Sequence, residues 1–262
     1  MRGVSETAEF DAVERTPSGA IIRLRGAIHI AFMAALAVAV TPLAAPFVWL
    51  GGPKVALAVI RVWAGVSLVA LRVLCGISYR VEGAENLPRG RAIVACNHQS
   101  MWETVALFAL LPQPAAVFKE SLLKVPVYGW WGKVSGSIPV DREAGALTVR
   151  RLMREAKDRL DQGFQLIIFP EGTRVPPGAT APLQPGVAAV YLSSHAPTVP
   201  VVHDSGVFWR HPGLERRPGV ITMRFLPAIP PGLAREAFHA RLEDAMTAGR
   251  RDLADFSRGD RA

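Results

Sequence analysis

Two short clusters in this chain hold side chains suited to moving a proton and gripping phosphate. Asn97-His98-Gln99-Ser100-Met101-Trp102-Glu103 sets an imidazole and a carboxylate five residues apart. Phe169-Pro170-Glu171-Gly172-Thr173-Arg174 follows later in the chain. Histidine, with an unperturbed pKa of ~6.5, can take and return a proton near neutral pH. A carboxylate bonded to its other ring nitrogen fixes the tautomer and stabilises the imidazolium that forms. The Pro-Glu-Gly-Thr-Arg turn offers backbone donors and a guanidinium, both good partners for phosphate. Together they point to activation of a hydroxyl on a phosphorylated substrate.

The spacing restricts how the pair can meet. Five residues on a regular helix subtend about 500°, which leaves the two side chains about 140° apart. His98 must therefore sit in a turn just ahead of a helix that carries Glu103. Ser100-Met101-Trp102-Glu103 fits a capping box, with Ser100 at N-cap and Glu103 at N3. The apolar run Val105 to Leu111 continues that helix. The same pattern allows a purely structural reading, in which Glu103 only caps the helix and His98 only occupies the turn.

Two further clusters bear on that choice: Gly136-Ser137-Ile138-Pro139-Val140-Asp141-Arg142, and Val199-Pro200-Val201-Val202. Four clusters in this order resemble the glycerolipid acyltransferase family, specifically the 1-acylglycerol-3-phosphate (lysophosphatidic acid) acyltransferases. That family carries His-x4-Asp, Gly-x-Ile-x-x-Asp-Arg, Phe-Pro-Glu-Gly-Thr-Arg and Val-Pro-Val blocks. The resemblance runs from Val81 to Pro227. Glu103 stands where the family most often has Asp, the same charge on one more methylene.

The resemblance implies an enzyme that moves a fatty acyl group from a thioester to the sn-2 hydroxyl of lysophosphatidic acid, giving phosphatidic acid. The donor is acyl-CoA or acyl carrier protein, with no other cofactor and no metal. His98 is the implied base and Glu103 its orienting carboxylate. Arg174, Lys119 and Arg142 are implied phosphate partners, and Glu171, Gly172 and Thr173 complete the substrate-binding turn. Other readings stay open at this point. One is the same chemistry on another lyso-lipid, such as a lyso-ornithine lipid. A second is a lipid-binding membrane protein with an inactive site. A third is a metallohydrolase, which would need ligands beyond His98 and Glu103; His195, His203 and His211 lack helical His-x3-His spacing.

Composition suits a membrane surface. Half of the 262 residues are hydrophobic and the formal net charge is +8. Basic residues beside an anionic bilayer each gain roughly 1 kcal/mol. No nucleic-acid-binding motif accompanies the charge, so nucleic acid is not an expected partner. The two cysteines, Cys75 and Cys96, are too few for a disulfide framework. Cys96 neighbours His98 and invites a nucleophile reading, although a small buried residue ending a strand is the better one.

The expected organisation has three parts: a polar tail (1–22), a membrane-anchoring helical hairpin (23–76) and the acyltransferase domain (77–262). Ala27 to Leu50 is apolar and free of Lys, Arg, Asp and Glu. It exceeds the ~20 residues a bilayer crossing needs. Gly51-Gly52-Pro53 signals a turn, and Val55 to Leu74 is a second apolar helix. Arg23 and Arg25 favour a cytoplasmic N-terminus, with the catalytic domain on that side. From Ile77 onward, short apolar strands alternate with helical periodicity. The expected fold is α/β, a mixed, largely parallel sheet covered by helices. Expected strands include Ala92–Cys96, Phe164–Phe169 and Val220–Phe225; expected helices include Trp102–Leu111, Leu147–Gln162 and Leu233–Phe256.

Overall fold

A computed structural model describes residues 18–141 and 145–259 of the chain. Arg142 and residues 1–17 of the expected tail lie outside the described residues. The elements in chain order are α1 (Gly19–Cys75), β1 (Ile77–Glu82), β2 (Ala92–Cys96), α2 (Trp102–Leu110), β3 (Pro114–Lys119), α3 (Tyr128–Val134) and β4 (Ile138–Val140). They continue with α4 (Gly145–Asp161), β5 (Gln165–Ile168), α5 (Pro185–Ser194), β6 (Thr198–His203), α6 (Ser205–Phe208), β7 (Gly219–Phe225) and α7 (Arg235–Gly259).

The strands form one sheet in the order β1-β7-β6-β2-β5-β3-β4. Every adjacent pair is parallel except β6–β7. The sheet is therefore mixed and mostly parallel, as expected. Alternation along β2 shows how the sheet is covered. Ile93 and Ala95 enter one apolar core with Leu166, Leu152, Val187, Phe238 and Leu242. Val94 and Cys96 enter the other with Ile167, Leu71, Trp102, Val105 and Leu107. Thus α4, α5 and α7 cover one face, while α1 and α2 cover the other. The continuous apolar runs of β2 and β5 follow from burial on both faces.

The N-terminal region is one helical run rather than two helices joined by a Gly51-Gly52-Pro53 loop, which corrects that expectation. Helical geometry continues up to Gly52 and resumes directly after it. Gly52 itself has φ 61° and ψ −151°, a region that is essentially glycine-only. The run folds back there. His29 Nε2 lies 3.0 Å from the Ser67 carbonyl oxygen, and Trp63 Nε1 donates to the Met33 carbonyl at 3.2 Å. In a straight helix, residues 29 and 67 would stand about 57 Å apart. The bend packs on α3, where Trp131 Nε1 donates to Thr41 Oγ1 at 2.8 Å. Trp130 and Trp131 meet edge to face at 4.7 Å and pack against Ala44, Val48 and Ala56.

Only one side of α1 faces the protein. Met33, Ala64, Leu68 and Leu71 are buried against the sheet side, while Leu43, Phe47, Trp49, Leu50, Val69 and Val73 are exposed. The most apolar window of α1 has a mean hydropathy of 2.0, and α1 is long and apolar enough to cross a membrane. A helix apolar on both sides fits contact with protein on one and lipid on the other.

Near its start α1 touches the segment that precedes β7. A Cβ added to Gly26 would lie 1.8 Å from the Leu214 carbonyl oxygen and 2.9 Å from Arg216 Cγ. Gly26→Ala is therefore expected to destabilise the protein by about 1–3 kcal/mol, the usual cost of overpacking a close contact. A thermal transition in detergent checks this, and an unchanged midpoint would show that the contact yields freely.

Candidate active site

The residues of interest collect at the carboxyl ends of the parallel strands. His98 follows β2, Lys119 ends β3, Asp141 follows β4, the Phe169–Arg174 cluster follows β5, and Ser205 follows β6. In open α/β sheets this edge is where ligands bind.

His98 Nδ1 lies 2.6 Å from Glu103 Oε1. The turn solves the spacing problem as expected: His98 stands ahead of α2 and Glu103 in its first turn. The cap differs in detail from the expected box. α2 starts at Trp102 with Met101 as N-cap. Ser100 Oγ accepts from Trp102 N at 3.0 Å, and the Glu103 carboxylate accepts from Ser100 N. Capping and pairing with His98 are thus performed by one carboxylate, so the two readings of the sequence describe the same atoms.

Glu103 is fully buried and densely bonded. Oε1 accepts from Gln99 N at 3.0 Å and Ser100 N at 2.9 Å. Oε2 accepts from Ser100 Oγ at 2.7 Å and Ser205 Oγ at 3.1 Å. Burial alone would push this carboxyl up. The neighbouring His203, the His98 bond and charge, and the Ser100 hydroxyl more than offset it, holding Glu103 at about 2. The His98 ring stacks on Phe169, with centroids 4.0 Å apart and planes 18° apart. Among the described residues, no protein group hydrogen-bonds to the His98 Nε2 atom.

A second layer locks this turn to β6. Asn97 Nδ2 donates to the His203 carbonyl at 3.0 Å, and His203 N donates to Asn97 Oδ1 at 2.9 Å. His203 Nε2 lies 2.7 Å from the Asn97 carbonyl oxygen, and burial lowers its pKa. Ser205, Asn97, His203 and Gln99 carry no sequence signal that singles them out. Their partners lie more than a hundred residues away, and only the β2–β6 pairing makes them neighbours.

The Phe169–Arg174 turn splits into separate roles. Arg174 is half-buried; its Nε donates to the Ser100 carbonyl at 2.9 Å, and its Nη1 lies 3.2 Å from His211 Nε2. Val175 N donates to the His98 carbonyl at 2.7 Å. This turn and the His98 turn are thus bonded directly to each other. Gly172 N is taken by the Phe169 carbonyl at 3.0 Å, so it is not the free donor the sequence suggests. Thr173 is exposed at the tip. Among the described residues, the Thr173 and Arg174 N–H groups have no protein acceptor. Lys119 is exposed at the end of β3, and Tyr128, a little further on, feels the Arg174 charge.

Glu171 departs from expectation. It is buried rather than open at the turn, and Arg250 Nη1 of α7 is 3.5 Å from Oε1. Neither carboxylate oxygen has a hydrogen-bond partner. Burial accordingly pushes Glu171 up to about 7, against smaller lowering effects from nearby N–H groups and Arg250. Between about pH 4.5 and 7 the folded state then keeps a proton that the unfolded chain releases. Stability present at low pH is lost as pH rises through about 7, by roughly 3 kcal/mol in all. Glu171→Gln is expected to remove that slope, so thermal midpoints of the variant should fall less than wild type between pH 5 and 8. Parallel curves would contradict the assignment.

Cys96 is fully buried at the end of β2, with Sγ 3.4 Å from the Asn97 carbonyl. Burial pushes its thiol well up, and the Glu103 and Glu171 carboxylates add to this. It is a core residue here. His195 caps α5 in the left-handed conformation, His203 is tied to Asn97, and His211 meets Arg174.

This arrangement coincides with a known family. The profile of the family described as Acyltransferase matches residues 78–204, the stretch that holds all four sequence blocks and the His98–Glu103 pair. The chain belongs to the acyltransferase family. This acyltransferase is similar to the 1-acyl-sn-glycerol-3-phosphate acyltransferase of Pseudomonas aeruginosa, at 33% identity over 171 residues, covering 65% of this chain and 66% of that one. It is 28% identical over 188 residues to the human 1-acyl-sn-glycerol-3-phosphate acyltransferase alpha, covering 67% and 66%. For relatives in Limnanthes alba and Cocos nucifera, the matched region is 56% and 51% of their length. The acyltransferase thus spans between about half and two thirds of the curated relatives it matches. The crystal structure of the 1-acyl-sn-glycerophosphate acyltransferase PlsC from Thermotoga maritima shares its fold. The TM-score is 0.68 at 19% identity, covering 90% of this chain and 97% of that one.

Proposed function

We propose that this acyltransferase transfers a fatty acyl group from a thioester to the sn-2 hydroxyl of 1-acylglycerol 3-phosphate, forming phosphatidic acid. The thioester is that of coenzyme A or acyl carrier protein. The observation that carries the chemistry is the 2.6 Å contact between His98 Nδ1 and a buried, ionised Glu103. With Nδ1–H held by the carboxylate, Nε2 is the basic nitrogen and faces outward from the turn. It takes the proton from the acceptor hydroxyl as that oxygen attacks the thioester carbonyl. The imidazolium is stabilised by Glu103. The tetrahedral intermediate collapses by breaking the C–S bond, and the proton passes from Nε2 to the leaving thiolate. The Thr173 and Arg174 N–H groups support the oxyanion. Arg174 holds the phosphate, with Lys119 and Arg142 as further cations. The choice of acceptor is supported by the similarity to the Pseudomonas aeruginosa and human 1-acyl-sn-glycerol-3-phosphate acyltransferases.

The exposed apolar side of α1 supports attachment to a bilayer, with residues 23–76 as the anchor and 77–262 as the catalytic domain. Both ends of the folded run lie on one side, since Met33 meets Trp63 and His29 meets Ser67. Arg23 and Arg25 support a cytoplasmic placement of that side. Purified protein offered lysophosphatidic acid, other lyso-lipids and both thioester donors tests the proposal. Phosphatidic acid, identified by mass, is the expected main product. Preferred acylation of a lyso-lipid without a phosphomonoester would replace the acceptor assignment.

A further inference from the structure

The first half of α4 presents a face that the reaction at His98 leaves unused. Leu152, Ala156 and Leu160 turn inward to the core. On the opposite side Leu147 is 76% exposed, and Arg150, Arg151 and Arg154 are exposed around it. Helix geometry sets all three arginines within about 60° of Leu147 around the axis. Their charges are poorly matched. Arg151 pairs with Glu155 at 2.7 Å and with Glu120 at 3.9 Å. Among the described residues, Arg150 and Arg154 have no carboxylate partner. Further along the helix, Lys157 and Asp161 pair with each other, and Asp161 pairs also with Arg91. The surplus positive charge is thus confined to the first half of α4, around an exposed leucine. An apolar centre with a polar rim is how protein-binding surfaces are built.

Position selects the partner. α4 follows β4, so its first turns lie at the carboxyl edge of the sheet, where the site is. Arg151 reaches Glu120, which adjoins Lys119 at the end of β3. β4 stands three strands from β2, about 14 Å across the sheet. The phosphopantetheine arm of a thioester carrier runs about 13 bonds from phosphorus to sulfur, roughly 16 Å by ordinary bond lengths. A carrier seated on α4 therefore brings its thioester within reach of His98. α4 also covers the sheet face opposite to α1. With the apolar side of α1 in lipid, Leu147 and its arginines face water, which fits a soluble acidic protein and not a bilayer. The nucleotide of coenzyme A carries phosphates for the arginines but no surface to cover the leucine.

We infer that the first half of α4 is the docking surface for an acidic acyl carrier protein, with Leu147 as its apolar anchor and Arg150 and Arg154 as its charged contacts. The inference rests on the proposed function and selects between its two thioester carriers.

The test uses the full chain in vesicles of uncharged lipid, with palmitoyl groups offered on acyl carrier protein and on coenzyme A. The variant is Arg150→Glu/Arg154→Glu; both side chains are exposed, so the fold should tolerate the change. The expected result is a KM for the carrier protein raised about tenfold or more. The KM for palmitoyl-CoA, the acceptor KM and kcat should stay within about threefold of wild type. Arg150→Lys/Arg154→Lys should stay near wild type, since the charge is kept. Leu147→Ser, which alters no charge, should raise the carrier-protein KM and leave that for palmitoyl-CoA unchanged. Equal rises for both donors would assign the arginines to phosphates common to the two carriers and overturn the inference. Unchanged donor constants with weaker sedimentation on anionic vesicles would make the face a lipid contact and overturn it too. Calorimetric titration of the detergent-purified chain with acyl carrier protein reads docking without turnover. Binding to wild type that is lost in the Glu variant supports the surface even if phosphatidic acid is not the product. Equal binding to both proteins counts against it even if phosphatidic acid is made.

Discussion

Replacing His98 with alanine is expected to lower turnover by about a hundredfold or more while leaving a folded protein. A positioned general base contributes roughly 10²–10⁴ to rate. The side chain is 12% exposed at the strand edge and its bonds to the protein are few. Its loss frees one donor to Glu103, which still keeps four other hydrogen bonds from Gln99, Ser100 and Ser205. Circular dichroism and the thermal midpoint should therefore change little, in contrast to kcat. A folded variant with near-normal turnover would remove His98 from the chemistry.

Glu103→Gln is expected to reduce turnover by a comparable factor and to destabilise the protein as well. The His98, Gln99, Ser100 and Ser205 groups around the carboxylate can all donate to it, and an amide presents an NH2 where one oxygen stood. Either the His98 tautomer is reversed or the Ser100 and Ser205 hydroxyls meet a donor. Disrupting a buried, fully bonded charge costs about 3–5 kcal/mol in comparable settings. The stabilising contribution of Glu103 also has a pH signature. Its folded pKa of about 2 lies below the ordinary 4.5. The contribution is present above about pH 4.5 and is lost as pH falls through 2. Acid unfolding of wild type should thus be steeper than that of Glu103→Gln, and coincident acid profiles would contradict the assignment. Glu103→Asp should be milder in turnover, since the charge remains, but the 2.6 Å bond must lengthen or the turn must move.

The elements legible in the sequence were those governed by local pattern. The apolar run Ala92–Cys96 ends as expected, and the strands expected over Phe164–Phe169 and Val220–Phe225 are present as β5 and β7. Ser100-x-x-Glu103 announced the start of α2, although the helix begins one residue after the expected N1 and Ser100 bonds Trp102 rather than position 103. Helix geometry restricted the pairing of His98 with Glu103 to a turn ahead of the helix, and left open that Glu103 only caps it. What the sequence concealed depends on strand order. Nothing local brings Ser205 to Glu103, Asn97 to His203, or Arg250 to Glu171. Glu171 looked like a ligand because it sits in a polar turn; its burial comes from α7, which arrives from the far end of the chain. The Gly51-Gly52-Pro53 turn was visible, but its compression into one non-helical residue depends on the packing of α1 against α3.

The most direct test of the account is a single-turnover measurement with labelled acyl donor, comparing wild type with His98→Ala. Donor alone should leave the protein unacylated. Addition of 1-acylglycerol 3-phosphate should then move the label into phosphatidic acid in one step, at a rate that falls about a hundredfold or more in His98→Ala. A labelled protein accumulating before acceptor is added, at Cys96 or elsewhere, would contradict direct transfer, as would equal rates in the two proteins.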